Sequence, residues 1–293
     1  MADAPQKTQA AAAARPRGGG AKPDLATLGG LAVALGGIMS GFLIEGGQVL
    51  QLLQLTAALI VFGGTLGAVM VTTPLGVLKR AAGKLVSVFM EKQLSPGAII
   101  EEIISYATKA RKNGIVSLEQ DAEQAADPFL RKALNLAVDG TDLQEIRKMM
   151  ELEMGIEEQQ SEAEAKVFEA AGGYSPTIGI IGAVLGLIQV MKSLSNIEKV
   201  GEGIAVAFVA TIYGVSSANI LFIPSAGKIR ARTQASMQMK ELMLEGVAGI
   251  VEGLNPKLIR TKLEAYAQAN LAAPAKGTRK AAKAAPQPAA AKS

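Results

Sequence analysis

The sequence predicts an all-α membrane protein with four transmembrane helices, a helical cytoplasmic domain between spans two and three, and a helical C-terminal extension. Three observations predict it. Four long runs of the chain contain no Asp, Glu, Lys, Arg or His, and about 20 helical residues cross the ~30 Å hydrocarbon layer. The stretches between and after these runs repeat their apolar residues at helical spacing. Finally, the 293 residues are 49% apolar but only 4% aromatic, with 32 glycines and no Trp, His or Cys. Such a chain packs through small side chains rather than aromatic bulk.

Residues 1–24 and 269–293 are rich in Ala, Pro, Gly and Lys, with too little apolar surface to offset the entropy of ordering, and read as disordered basic tails. Lys276, Arg279, Lys280, Lys283 and Lys292 meet no acid in the second tail, so the chain between the tails is net acidic although the whole carries a formal +4. The tails read as solvated arms near anionic headgroups rather than as nucleic-acid binders.

The first span is Leu25 to Ile44. The second uncharged run goes from Gly46 to Leu78 and is interrupted by Pro74; spans one and two thus occupy 25–78. The third runs from Gly172 to Met191 and the fourth from Gly203 to Gly227, with Pro224 near its end, so spans three and four occupy 172–227. Glu45 alone separates the first pair, and a polar link from Lys192 to Gly201 separates the second. Because a second span follows at once, the first run is a span and not a signal peptide. Lys22, Lys79, Arg80, Lys84, Lys228, Arg230 and Arg232 cluster on one side of the hairpins. By the positive-inside rule that side is the cytoplasm, in an inner-membrane protein with both termini cytoplasmic. Gly37 and Gly41, Gly63 and Gly67, and Gly182 and Gly186 are small-xxx-small pairs that favour a tightly packed bundle or an oligomer.

The 79–171 segment reads as helical. Ser95-Pro96 is an N-cap followed by Pro at the first helical position, Ile99, Ile100, Ile103, Ile104 and Ala107 follow at helical spacing, and Gly114 ends the element. A second helix covers Pro128 to Val138 and is broken at Asp139-Gly140. Thr141-Asp142-Leu143-Gln144 resembles a capping box and opens a helical pattern that runs to about Ala171, with a Glu-rich solvated face over 151–169. The 228–268 segment continues helically through Glu252, and Asn255-Pro256 starts a last amphipathic helix.

Enzyme chemistry is not indicated. The sequence has no phosphate loop, nucleophile elbow or metal-ligand spacing, and no cofactor or metal is expected. The informative feature is that no span carries a charged side chain in its middle. Intramembrane carboxylates are costly and mark ion paths, so a conducting role requires a partner to bring the titratable group. The polar groups of spans three and four are then the wall: Thr177, Gln189, Thr211, Tyr213, Ser216, Ser217 and Asn219. By local rules Pro176 opens span three in a favourable first-turn position, and Pro224 kinks span four by depriving the Ile220 carbonyl of its amide; both read as structural.

Three segments carry a resemblance: Tyr174 to Gly186 (YSPTIGIIGAVLG), Ala210 to Gly214 (ATIYG) followed by Phe222-Ile223-Pro224, and Ala110 to Glu119 (ARKNGIVSLE). With them, residues 25–268 resemble the MotA/PomA family of flagellar stator proteins, within the MotA/TolQ/ExbB group. The resemblance implies a ring of five subunits around two copies of a MotB-type, single-span, peptidoglycan-binding partner that supplies an ion-binding Asp. It also implies a cytoplasmic part that pushes the rotor's switch protein. Thr211 then lines the ion path, Pro176 and Pro224 couple ion passage to movement, and Arg111 and Glu119 engage the rotor. Ala183, where sodium-type relatives place threonine, tilts the ion towards the proton. The alternatives are a TolQ/ExbB-like energiser of an envelope transport system and a non-conducting membrane scaffold.

Overall fold

A computed structural model describes residues 22–91 and 95–271; what the sequence predicts for the remainder of both basic tails lies outside them. The described chain is helical apart from turns and one two-residue antiparallel pairing, β1 (Lys22–Pro23) with β2 (Met90–Glu91). Four helical stretches are long and apolar enough to cross a membrane: Leu25–Ile44, Val49–Thr72, Leu143–Lys192 and Ile197–Val251.

Helix α1 (Leu25–Ile44) is capped by Asp24, whose side chain accepts from the Thr27 amide, and buries no residue within the chain. The chain turns at Gly46 (φ +86°) and passes a 3-10 turn, Val49–Leu52. It then crosses back as α2 (Leu55–Ala58), a π segment (Leu59–Gly63) and α3 (Gly64–Thr72). The uncharged run predicted through Leu78 is not one helix. Extended Thr73 stands before Pro74, because the proline ring disfavours a helical residue ahead of it. An amphipathic helix, α4 (Leu75–Val88), follows; the sequence reading did not separate it.

The domain outside the membrane is built from α5 (Pro96–Asn113), a 3-10 turn (Ile115–Leu118), α6 (Glu119–Gln124) and α7 (Pro128–Val138). Ser95 occupies the N-cap position of α5, without a capping bond from its side chain, Pro96 stands in the first turn, Gly114 closes the helix at φ +81°, and Gly140 follows α7 at φ +76°. All are positions the sequence marks, and the two glycines take a left-handed backbone that side chains resist. The cap of the next helix is Asp142 rather than Thr141, its carboxylate accepting from the Gln144 amide at 2.9 Å.

That next helix, α8 (Leu143–Lys192), runs 50 residues without a break. The domain helix and the third span are one element. After a turn at Ser193–Asn196, shorter than the polar link the sequence outlines, α9 (Ile197–Ser216) returns, capped by Asn196. It widens into a π segment (Ser217–Phe222) and continues as α10 (Ile223–Val251). Then α11 (Pro256–Tyr266), capped by Asn255, folds back.

Both long rods serve two cores. Outside the membrane, Ile146 and Met150 of α8 and Leu242, Met243 and Val247 of α10 pack with Ile103, Leu118, Leu130, Leu134, Ile259 and Leu263. Nearer the spans, Ala165 and Phe168 of α8 and Ala226 and Ile229 of α10 close a collar with Val69, Ala81 and Val88. The Glu-rich face of α8 is more than a solvated surface. Arg230 binds Glu162 at 2.8 Å and Glu169 at 2.7 Å, Lys240 pairs with Glu157, and Arg80 approaches the buried Glu164 at 3.4 Å. Further out, Arg147 and Lys262 converge on Glu245 at 2.7 and 2.6 Å.

These pairings hold several carboxyls below the ordinary glutamate range: Glu162 and Glu169 through hydrogen bonds from Arg230, and Glu245 through Arg147 first and Lys262 second. A depressed native value means that the unfolded chain binds more protons as pH falls. The stability they contribute is therefore complete above the unfolded value of about 4.3 and drains away as pH drops through the native values. We expect thermal melts of the detergent-solubilised protein to hold a constant Tm between neutrality and about pH 5.5 and to fall progressively below about pH 5. Arg230→Ala should start lower and fall less steeply, and equal acid slopes in the two proteins would contradict the assignment.

Candidate functional site: a glycine seam between the third and fourth spans

Antiparallel α8 and α9 approach so closely that side chains are excluded along one line. A Cβ placed on Gly172 would stand 2.6 Å from Ile223 Cγ1, on Gly179 2.9 Å from the Ala210 carbonyl oxygen, on Gly182 2.8 Å from Ala210 Cβ, and on Gly186 2.8 Å from the Gly203 carbonyl oxygen. From the other side, a Cβ on Gly214 would meet the Ser175 carbonyl oxygen at 2.6 Å and Pro176 Cα at 3.3 Å. The α8–α9 contact thus extends from Ser175 to Gly186, Val190 against Gly203 continues it, and Gly172 against Ile223 prolongs the seam to the start of α10. Over such a length, at ~1.5 Å per residue, the two backbones stay together across most of a bilayer. The Gly182/Gly186 pair does what its spacing predicts. Gly37, Gly41, Gly63 and Gly67 do not pack within this chain, and a Cβ on any of them would meet open space. Gly64 instead takes Ile178 of α8.

Polar groups on and beside the seam find partners across it or within their own helix. The Ser175 and Ser217 hydroxyls lie 2.7 Å apart, and Ser217 donates to the Gly214 carbonyl at 3.2 Å. The Thr211 hydroxyl donates to the Ala207 carbonyl at 3.2 Å, and Asn219 donates to the Val215 carbonyl at 2.9 Å. Local bonding of this kind lets hydroxyls lie in an apolar layer without an orphaned proton. Tyr213 leaves the seam: its hydroxyl donates to the Leu52 carbonyl, receives the Gln54 amide at 3.4 Å and its ring stacks on Phe62. It anchors the outer end of the second span rather than lining a path.

The predicted residues fall into two groups. Thr211 follows Ala210 and Ala183 follows Gly182, so both flank one close contact of the seam, each half-buried. Pro176 belongs here too, against Gly214. It is not in the first turn of a helix, as local rules predict, but well inside α8, because the helix does not restart at Gly172. Pro224 opens α10 directly after the π segment. A proline lacks the amide that the turn before it needs and its ring crowds that turn, and a wider turn relieves both. Gly172 against Ile223 puts this irregularity one turn from Pro176 along the seam.

Arg111 and Glu119 lie apart from the seam, in the domain outside the membrane. They lie exposed on the last turn of α5 and the first residue of α6. That corner is held by Lys109 and Asp121, 2.6 Å apart. Among the described residues no cluster of His, Cys, Asp and Glu suits a metal ion. The sequence reading missed Gly179 and Gly214 as backbone-to-backbone contacts and Ser175–Ser217 as a cross-helix bond. The three- and four-residue intervals of Gly179, Gly182 and Gly186 were the available signal.

The profile of the MotA/TolQ/ExbB proton channel family matches residues 121–242, which hold this seam, and that of the motility protein A N-terminal region matches residues 28–114. The chain belongs to the MotA/TolQ/ExbB family. It is 34% identical over 244 residues to motility protein A of Bacillus subtilis, covering 83% of this chain and 90% of that one. Two solved assemblies of such proteins superpose on it. In the flagellar MotAB stator complex from Bacillus subtilis the TM-score is 0.77 at 33% identity, over 85% of this chain and 99% of that one. In the MotAB structure of C. jejuni it is 0.78 at 32% identity, over 83% and 95%.

The seam makes a discriminating prediction about this family member. Gly214→Val should drive the helices apart against a backbone carbonyl, destabilising the bundle by about 1–3 kcal/mol and removing motility in a complementation assay. Gly227→Ala, with open space at its Cβ, should leave both stability and motility within error of the parent.

Proposed function

We propose that this protein is the ion-path and torque subunit of a flagellar stator in the cytoplasmic membrane, with a single-span partner supplying the acid that carries the ion. The carrying observation is the seam. Between Gly172 and Met191, and between Gly203 and Gly227, no charged side chain is present, yet hydroxyls line a rigid double wall whose two helices continue into a domain outside the membrane. Such a wall can exclude lipid and water from a path and offer Thr211 to a hydrated ion, but it cannot hold a proton itself. The partner reading draws on the matched assemblies, both described as MotAB.

In this reading Lys22, Lys79, Arg80, Lys228, Arg230 and Arg232 mark the cytoplasmic side, both termini lie there, and copies of the chain form a ring, expected to be a pentamer. Ion arrival neutralises the partner's carboxylate. The change is felt by α8 and α9 at Thr211 and Ala183, and the helices yield where their bonding is weakest, at Pro176 and at the π segment before Pro224. Because α8 and α10 run on into the outer core, movement there swings the corner that presents Arg111 and Glu119 to the rotor. Ala183 favours the proton, since a sodium ion needs several oxygen ligands and this position offers none. A TolQ/ExbB-like energiser is the competing reading. The four spans and the match of the motility protein A N-terminal region favour the stator.

Thr211→Val and Pro224→Ala should each abolish swimming in a stator-deleted host while the protein remains at parental level in the membrane fraction; normal swimming by either would overturn the reading. Replacing sodium by potassium at fixed pH should leave swimming speed unchanged if protons drive the motor, and a stop would identify sodium. Arg111→Glu should cut stall torque several-fold, with partial recovery when an acidic residue of the rotor protein is reversed in charge.

A further inference from the structure

Helix α1 buries none of its residues in this chain, so its attachment to the rest rests on its foot. Asp24 stands there, 3% exposed. One carboxylate oxygen accepts from the Thr27 amide at 3.0 Å. The other receives Lys228 Nζ at 2.6 Å and Arg232 Nη2 at 2.7 Å. The Asp24 amide donates to the Phe89 carbonyl at 2.9 Å, Arg232 donates through Nη1 to the Met90 carbonyl at 2.7 Å, and β1 pairs with β2 on the same spot. Three segments therefore meet at one buried carboxylate: the start of α1, the end of α4, and α10 in the turns just past Pro224.

The charges on α10 are divided by face. Arg230 is committed to Glu162 and Glu169 of α8, whereas Lys228 and Arg232, one helical turn apart, point to Asp24. Beyond Pro224 the rod is thus gripped from two sides by charge. The Lys228 hydrogen bond above all, then the Thr27 amide, holds the Asp24 carboxyl well below the usual carboxylate range, so it stays charged at any physiological pH. Above the grip α1 stands away from α10, leaving a groove of about 320 Å³ between Ala26, Gly30 and Leu31 on one side and Ile220, Leu221 and Pro224 on the other. The π segment has room to change shape there while its lower end is tied.

We propose that Asp24 is a positioning residue that latches α1 to α10 immediately below the π turn, making the first span the abutment against which α10 moves. The inference rests on the stator reading above. With the latch closed, a bend at Ser217–Phe222 carries α10, the end of α4 and the foot of α1 as one body. With it open, α10 moves alone and ion passage is no longer converted fully into force.

Asp24→Asn tests this, because asparagine caps a helix as well as aspartate does but removes the charge. The variant, expressed with its partner subunit in a stator-deleted host, is compared with the parent in three measurements. These are membrane level, proton influx into the cell followed by a pH-sensitive fluorophore, and stall torque of a bead on a flagellar stub. Expected are parental level and influx with torque reduced at least twofold, and recovery of most of that torque by Asp24→Glu. Parental torque in Asp24→Asn overturns the latch. A torque loss matched by equal losses of protein or influx also overturns it, since that is what a purely structural contact would give. Failure of Asp24→Glu to recover torque overturns the role of charge. If the parent itself shows neither influx nor torque, the stator reading fails, which is a result distinct from failure of the latch alone.

Discussion

The backbone contact of α8 with α9 is the constraint on which the rest of the molecule depends. In a hydrocarbon layer there is no hydrophobic drive to pair helices, so close packing and local hydrogen bonds must hold them. Glycine at 179, 182, 186, 203 and 214 allows that approach, and once it is made little else about the two helices can vary. Their rotation about their own axes is fixed, because each glycine must face the partner. Thr211 and Ala183 are thereby brought to the rim of one contact, and Ser175 to within a hydrogen bond of Ser217. The second span is placed secondarily, by Ile178 against Gly64 and by Tyr213 reaching Leu52.

Helical continuity then extends this constraint out of the membrane. α8 and the α9–π–α10 rod contribute to the seam, to the collar around Phe168 and Ile229, and to the outer core around Met150 and Leu242. The outer halves are tied by Arg230, Lys240 and Arg147 to acids on the opposite rod. Rigid material thus lies above and below a short zone containing Pro176, the π segment and Pro224, which concentrates compliance in that zone.

Much of this was legible in the sequence where local chemistry decides the outcome. The ends of α5, α7 and α11 follow from Ser95-Pro96, Gly114, Pro128, Asp139-Gly140 and Asn255-Pro256, and the spans follow from charge-free length. Other features were not legible for identifiable reasons. Charge density changes sharply near 172 and 228, but a helix does not end where its environment changes, so span and domain helix appeared as separate pieces. That error also misplaced Pro176 at a helix start. α4 was absorbed into the preceding apolar run although Pro74 divides them, and α6 is too short to show a period. Glu162, Glu164 and Glu169 read as solvent-facing because their partners, Arg80 and Arg230, lie far along the chain. Asp24 is the extreme case: one of two acids in a basic tail by composition, it is buried by residues some two hundred positions away. The assignment of Thr211, Pro224, Arg111 and Glu119 came from family likeness, because neither spacing nor charge alone distinguishes them from their neighbours.

The turn at Ser193–Asn196 joins the two rods at one tip, and the glycines clamp them for the next several turns. A hairpin pinned in this way behaves like a lever: beyond the clamp α8 and α10, tied by Arg230 and Lys240, can turn only together, and travel grows with distance from the pivot. α10 is 29 residues long, a lever arm of about 43 Å at ~1.5 Å per residue. A flexure of only ~10° at its root would swing the far tip through roughly 7 Å by that same geometry, about the width of a side chain's grip on a neighbouring surface. The gain of such a lever is set by how many residues lie between the flexible turn and the tip.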